Sequence, residues 1–76
     1  MNKIREALGE IRPEFDFTRS SDFFADGMLD SFDLITLVAE LDKSYGVSID
    51  GIDIVPENFC NLDAIAGLLA RMGVSV

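Results

Sequence analysis

Four consecutive residues, Asp30, Ser31, Phe32 and Asp33, form the stretch whose side chains could carry chemistry. Asp30 is a good helix N-cap, and an acidic residue three positions later is a variant of the capping box, which predicts a helix beginning at Ser31. The serine hydroxyl would then lie beside unpaired backbone N–H groups at the positive end of the helix dipole. The pattern favours a phosphate group at Ser31, although a serine that simply starts a helix has the same appearance.

Two other stretches accompany the Asp-Ser pair. They are Tyr45-Gly46-Val47-Ser48-Ile49 and Pro56-Glu57-Asn58-Phe59. Together with Asp30-Ser31-Phe32, and over a span from about Ile4 to Met72, the chain resembles the acyl carrier proteins. The marker of that family is Asp-Ser-Leu at the start of its second helix, so a phenylalanine stands here in the position of the usual leucine.

The resemblance implies that a separate phosphopantetheinyl transferase moves 4'-phosphopantetheine from coenzyme A onto the hydroxyl of Ser31. Asp30 is expected to help present that serine. The thiol at the end of the arm would hold an acyl or aminoacyl group as a thioester. The chain itself would then be a discrete carrier with no catalytic residues, acted on by other enzymes.

The second helix is the recognition helix of the family, where acidic groups meet basic docking patches on acyl-activating or acyl-transferring enzymes. Carried over to this chain, the recognition residues are Phe32, Asp33, Thr36, Ala39 and Glu40. Two interpretations of Phe32 stay open. It is either an exposed apolar contact for these enzymes or a lid that packs over Phe23 or Phe24 of the preceding loop.

The pathway served by the carrier is left open between fatty-acid synthesis, polyketide synthesis and D-alanyl or other aminoacyl transfer. Leu29 stands where peptide-synthetase carriers usually have glycine, which disfavours that branch. The Leu-Asp-Ser-Phe and Pro-Glu-Asn-Phe runs look more like discrete bacterial carriers, including D-alanyl carriers. Lys43 and Thr36 stand among the acidic residues of the second helix and make that face less negative. This favours a specialised pathway over fatty-acid synthesis.

Composition excludes several function classes. The 76 residues include 14 acidic and 6 basic ones, giving a formal net charge of −8 that disfavours nucleic acid and anionic membranes as partners. Histidine is absent, which removes the commonest general base and zinc ligand. A single cysteine, Cys60, excludes an internal disulfide and is interpreted as a small apolar residue. With no signal peptide or membrane span in the sequence, a cytoplasmic monomer is expected.

Two features of the sequence are also compatible with functions other than that of a carrier. The twelve residues from Asp22 to Asp33 have Asp at positions 1 and 5 and Gly at position 6, as in a calcium-binding EF-hand loop. Phe24 at position 3 cannot ligate a cation, so no metal site is predicted. The second alternative is an unmodified acidic helical adaptor that only binds other proteins. An adaptor has no need of the Asp30-Ser31 pair, which favours the carrier.

The elements that must position Ser31 follow from apolar periodicity. The first helix is predicted from Asn2 to Arg12, with Ile4, Ala7, Leu8 and Ile11 on one side and Arg12 among the charged residues on the other. The segment from Glu14 to Leu29 is expected to pack across the bundle through its aromatics, with a short helical turn near Ser21–Phe24. The remaining predicted elements are a second helix from Ser31 to Tyr45 ended by Gly46, an extended connector Val47–Ile49, a short helix from Asp53 to Asn58, and a last helix from Leu62 to Met72 capped by Asn61.

These elements predict an all-α fold with a single domain over residues 1–76. The architecture is a small four-helix bundle of three longer helices and one short helix, with a long loop between the first two, as in the acyl carrier proteins. On helix two, Asp33 falls on the arc opposite the apolar residues and is therefore expected to be exposed.

Overall fold

The computed structural model describes residues 2–76, and over this range the chain forms three α-helices and no strand. Helix α1 covers Asn2–Ile11, α2 covers Ser31–Tyr45 and α3 covers Leu62–Arg71. All three agree with the sequence prediction to within one residue at each end. Met1, the first residue of the predicted domain, lies outside the described range.

Each helix buries the apolar stripe that its sequence period predicts. Leu37 and Leu41 of α2 are completely buried, because α2 packs against α1 and both side chains lie in the hydrophobic core. The other helices contribute buried residues at the same i, i+3, i+4 spacing: Ile4, Ala7 and Leu8 from α1, and Ile65, Leu68 and Leu69 from α3. A single hydrophobic core therefore joins the three helices.

The ends of α2 are set by local chemistry. Asp30 is the N-cap, and its side chain accepts the backbone N–H of Asp33. At the other end, Gly46 adopts a left-handed conformation with φ of 65°, and its N–H bonds to the carbonyl of Asp42. Glycine tolerates this conformation because it has no Cβ. Both ends were predicted from the sequence, and both are confirmed.

The long loop between α1 and α2 packs into the core through its aromatics, as expected. Phe17 and Phe23 are buried and meet edge to face, with ring centroids 5.0 Å apart. The backbone N–H of Phe23 also donates to the carbonyl of Cys60 at 2.6 Å, just before α3. The loop is thus held against the opposite end of the chain, and Leu29, buried beside it, leads directly into the cap of α2.

The expected helical turn near Ser21–Phe24 is not where the sequence put it. A 3₁₀ turn forms earlier, at Phe17–Arg19, and a hydrogen-bonded turn without helix follows at residues 23–27. The cause is a pair of local aspartate caps. Asp16 accepts the N–H of Thr18, and Asp22 accepts the N–H of Phe24 and of Ala25, each at 3.1 Å.

The prediction of a short helix from Asp53 to Asn58 is also wrong. Two separate 3₁₀ turns, Gly51–Asp53 and Pro56–Asn58, occupy this part of the chain. Val55 lies between them with φ −131° and ψ 150°, an extended conformation that the following proline imposes on the residue before it. The fold is therefore three α-helices with 3₁₀ turns, not the four-helix count expected from the sequence.

Candidate functional site

Ser31 is the first residue of α2 and is exposed to solvent. Within residues 2–76, none of the side-chain hydrogen bonds uses its hydroxyl. The backbone N–H groups of the first helical turn surround it, so a negative charge placed on this hydroxyl is stabilised by about 0.3–1 kcal/mol if it stays exposed. The predicted position of the serine at a helix start is confirmed.

Asp30 and Asp33 form a complete capping box around Ser31. The Oδ1 atom of Asp30 accepts the backbone N–H of Asp33 at 2.9 Å, and Oδ2 of Asp33 accepts the backbone N–H of Asp30 at 3.2 Å. The backbone N–H of Asp33 lowers the pKa of the Asp30 carboxyl, because the hydrogen bond favours the charged form. Ser31 is thereby held between two carboxylates in a closed hydrogen-bonded ring.

A third charged residue reaches this ring from α1. The Nε–H of Arg12 donates to Oδ2 of Asp33 at 2.9 Å, and its guanidinium also lies 3.7 Å from Asp30 and 3.7 Å from Glu14. The hydrogen bond to Asp33 and the charge of that carboxylate raise the pKa of Arg12. Sequence reasoning placed Arg12 on the solvated side of the first helix and missed this contact, because the two residues are 21 positions apart.

The expectation that Asp33 is exposed is wrong. Its relative exposure is 9%, and both its backbone and its carboxylate are engaged in the capping box and the Arg12 contact. The helical wheel put it on the arc away from the core, but the end of α1 covers that arc at the start of α2. The sequence also predicted Asp33 as part of a capping box, from its spacing of three from the N-cap aspartate, and that prediction is confirmed.

Phe32 is 82% exposed, whereas its role as a docking contact stays a prediction. The prediction of a lid over Phe23 or Phe24 is wrong, because a side chain this exposed cannot be packed on either ring. One turn further along α2, Ile35 is 68% exposed. Together the two side chains form an exposed apolar patch directly after Ser31, which we call the α2 patch.

The other predicted recognition residues continue along the same helix. Thr36 and Ala39 are exposed and Glu40 is half-buried. Of the three acids in α2, Asp33 is taken up by the capping box, and Asp42 accepts the backbone N–H of Ile49 at 3.0 Å. Glu40 is therefore the acid of α2 without a structural hydrogen bond among the described residues, and the face after Ser31 is more apolar than acidic.

In the segment that resembles a calcium-binding loop, the aspartates accept hydrogen bonds from neighbouring groups of the same loop. Asp22 accepts two N–H groups of its own turn, and Asp26 accepts the hydroxyl of Ser20. Across residues 2–76, no three acidic or cysteine side chains come together in a way that could hold a metal ion. Cys60 is half-buried, and its Sγ donates to the carbonyl of Glu57 at 3.5 Å.

The comparisons with known proteins agree with this geometry. A family model described as a phosphopantetheine attachment site matches residues 1–69. The chain belongs to this family. No curated protein sequence and no solved structure matches it.

Members of the phosphopantetheine attachment-site family carry 4'-phosphopantetheine covalently. As a member, the chain is a phosphopantetheine-bearing carrier that is modified by a transferase and meets the enzymes that use the arm. Carrier domains of this family are typically not catalytic themselves. None of the helices within residues 2–76 has the length and apolar character needed to cross a membrane.

Proposed function

We propose that Ser31 carries the 4'-phosphopantetheine and that the chain transports acyl or aminoacyl groups as thioesters on that arm. The observation that carries the proposal is an exposed hydroxyl, free of hydrogen bonds within residues 2–76, at the first residue of α2. Asp30 closes the first turn as N-cap and leaves the neighbouring serine presented to solvent. These residues are compatible with a covalent phosphodiester, since one more negative charge is favoured at a helix N-terminus.

The other serines of the chain are poorer candidates. Ser44 lies in the last turn of α2, where the helix dipole disfavours an anion. The hydroxyl of Ser20 donates to Asp26, and its backbone belongs to the loop. Among residues 2–76, Ser31 is the serine that lies at the N-terminus of an α-helix. Its hydroxyl therefore combines accessibility with the favourable end of a dipole.

The proposal is tested by incubating the chain with coenzyme A, Mg²⁺ and a broad-specificity phosphopantetheinyl transferase, and then measuring its intact mass. Wild type and Ser31→Ala are compared with Ser44→Ala, a matched exposed serine on the same helix. Wild type and Ser44→Ala are expected to gain one phosphopantetheine group, and Ser31→Ala none. No gain on wild type, or an equal gain on Ser31→Ala, overturns the assignment. In that case, a basic protein that binds wild type and Ser31→Ala equally would favour the unmodified adaptor.

The α2 patch supports the proposal that partner enzymes dock on the chain mainly through apolar contacts. Phe32 and Ile35 are available for burial, while Glu40 and the net charge of −8 can still meet a basic patch on the partner. Carriers of fatty-acid synthesis are expected to present more glutamate on this helix. The proposed cargo is therefore that of a specialised acyl or aminoacyl pathway, such as D-alanyl transfer.

The cargo proposal is tested on the protein after its arm has been attached. An adenylating D-alanine ligase with ATP and D-alanine is compared with a malonyl transferase of fatty-acid synthesis, and thioester formation is followed by hydroxylamine-sensitive mass gain. Preferential loading by the ligase supports the aminoacyl pathway. Preferential loading with malonate assigns the carrier to fatty-acid or polyketide chemistry.

A further inference from the structure

Arg12 joins the end of α1 to the capping box that surrounds Ser31. Its own backbone is held in place, since its N–H continues the helical pattern by donating to the carbonyl of Leu8 at 2.9 Å. From this fixed position, the Nε–H reaches Oδ2 of Asp33 at 2.9 Å, and another guanidinium nitrogen lies 3.7 Å from Asp30. One planar side chain thus spans both carboxylates of the box.

The atom that Arg12 binds also closes the box. Oδ2 of Asp33 accepts the backbone N–H of Asp30 and the Nε–H of Arg12 at the same time. The local hydrogen bonds fix Ser31 relative to its own helix turn, but they do not fix that turn relative to the rest of the molecule. Arg12, the residue that directly follows α1, adds a polar link at this turn to the apolar packing of α2 on α1.

The contact of Arg12 with the capping box also offsets negative charge around Ser31. Asp30 and Asp33 place two negative charges on either side of Ser31, and the phosphates of an incoming coenzyme A are also anionic. Glu14 adds another carboxylate 3.7 Å from Arg12. The guanidinium offsets part of this charge where it is greatest, while leaving the serine hydroxyl exposed.

We propose that Arg12 is a positioning residue for the modification of Ser31: its guanidinium fixes the Asp30–Asp33 box against α1, so that the hydroxyl is presented in one orientation. This inference rests on the proposed function of Ser31. In the reaction, the Ser31 oxygen bonds to the phosphorus that bears the pantetheine group, and the pyrophosphate bond of coenzyme A breaks. The nucleotide 3',5'-ADP leaves with that bond's electron pair, and the hydroxyl proton passes to the transferase or solvent.

The test is steady-state kinetics of the transferase reaction with the chain as variable substrate, well below the thermal unfolding midpoint of each variant. Arg12→Gln is expected to lower kcat by about tenfold and to leave KM within about twofold, because misorientation affects the reacting geometry more than docking. Arg5→Gln is the matched control. Arg5 is an exposed arginine of α1 with no ion pair among the described residues, and wild-type kinetics are expected.

Two other variants separate positioning from charge and from folding. Arg12→Lys keeps the charge but cannot span both carboxylates, so its kcat is expected to stay closer to that of Arg12→Gln than to wild type. Asp33→Asn removes the charged acceptor, and Arg12→Gln should then have little further effect in that background.

Four results would overturn the inference. They are an unchanged kcat in folded Arg12→Gln, a change in KM alone, full rescue by lysine, and equal effects of Arg12→Gln with and without Asp33. A lower unfolding midpoint accompanied by unchanged kinetics would give Arg12 a purely structural role. Failure of wild type to be modified at all would instead remove the proposed function, so the two failures are distinguishable.

Discussion

Asp30 and Asp33 each accept the other's backbone N–H, at 2.9 and 3.2 Å respectively, across the serine that starts α2. This reciprocal pair satisfies two of the N–H groups that a helix start leaves without partners. It also makes the stability of α2 dependent on the charge of Asp30, since that carboxylate is the acceptor for Asp33.

Acid is expected to weaken the fold through Asp30. Its pKa is lowered in the folded state by the N–H of Asp33, so the unfolded chain binds the proton more readily. The resulting stabilisation is fully present above the unfolded-state pKa of about 4 and is lost as the pH falls through the lower folded-state value. Urea unfolding of wild type and Asp30→Asn between pH 6 and pH 2.5 checks this, since asparagine still caps a helix but does not titrate. The stability difference should shrink below pH 4, and a difference independent of pH would contradict the prediction.

Leu37 and Ile35, two residues apart on α2, are expected to differ strongly in how much stability is lost when each is truncated to alanine. Leu37→Ala leaves a cavity in the core, because the side chain is completely buried, and should cost about 2–5 kcal/mol. Ile35→Ala removes an exposed side chain and should change stability by less than about 0.5 kcal/mol. Chemical unfolding followed by circular dichroism measures both. Similar losses for the two variants would mean that Ile35 is packed in solution.

Replacing either of two glycines by alanine should change the stability of the fold, but in opposite directions. Both glycines have open surroundings. Gly46 has φ of 65°, so Gly46→Ala strains the end of α2 and is expected to destabilise the fold by about 1–2 kcal/mol. Gly9 lies within α1 at ordinary helical angles, and a Cβ there meets no atom within 4 Å. Gly9→Ala should therefore stabilise by about 0.5–1 kcal/mol. Thermal unfolding of both variants against wild type tests the pair, and a common sign would refute it.

Phe32 is expected to act in docking and not in folding. Phe32→Ala removes a side chain that is 82% exposed, so the unfolding free energy should change by less than about 0.5 kcal/mol. If the transferase buries this ring, KM for the chain should rise about tenfold with kcat nearly unchanged. The effect should also persist at high salt, because the contact is apolar. The opposite pattern, an unchanged KM that depends strongly on salt, would indicate docking through charge instead of the α2 patch.

Much of the site could be predicted from the sequence because it depends on interactions between residues close together in the chain. The start of α2 after Asp30 and its end at Gly46 follow from capping chemistry within four residues. The break at Val55 is equally local. Its proline neighbour was present in the sequence, and weighing it fully would have excluded the short helix from Asp53 to Asn58.

Only the tertiary structure determined the contacts between residues that are far apart in the sequence. The amphipathic period showed which side of each helix is apolar, but it could not show that the end of α1 would cover Asp33 and bring Arg12 to it. Nor could it tell which phenylalanines of the loop before α2 are buried: Phe17 and Phe23 are buried, whereas Phe15 is exposed. The period reports one helix at a time, whereas burial and ion pairing at the start of α2 depend on where another helix ends in space.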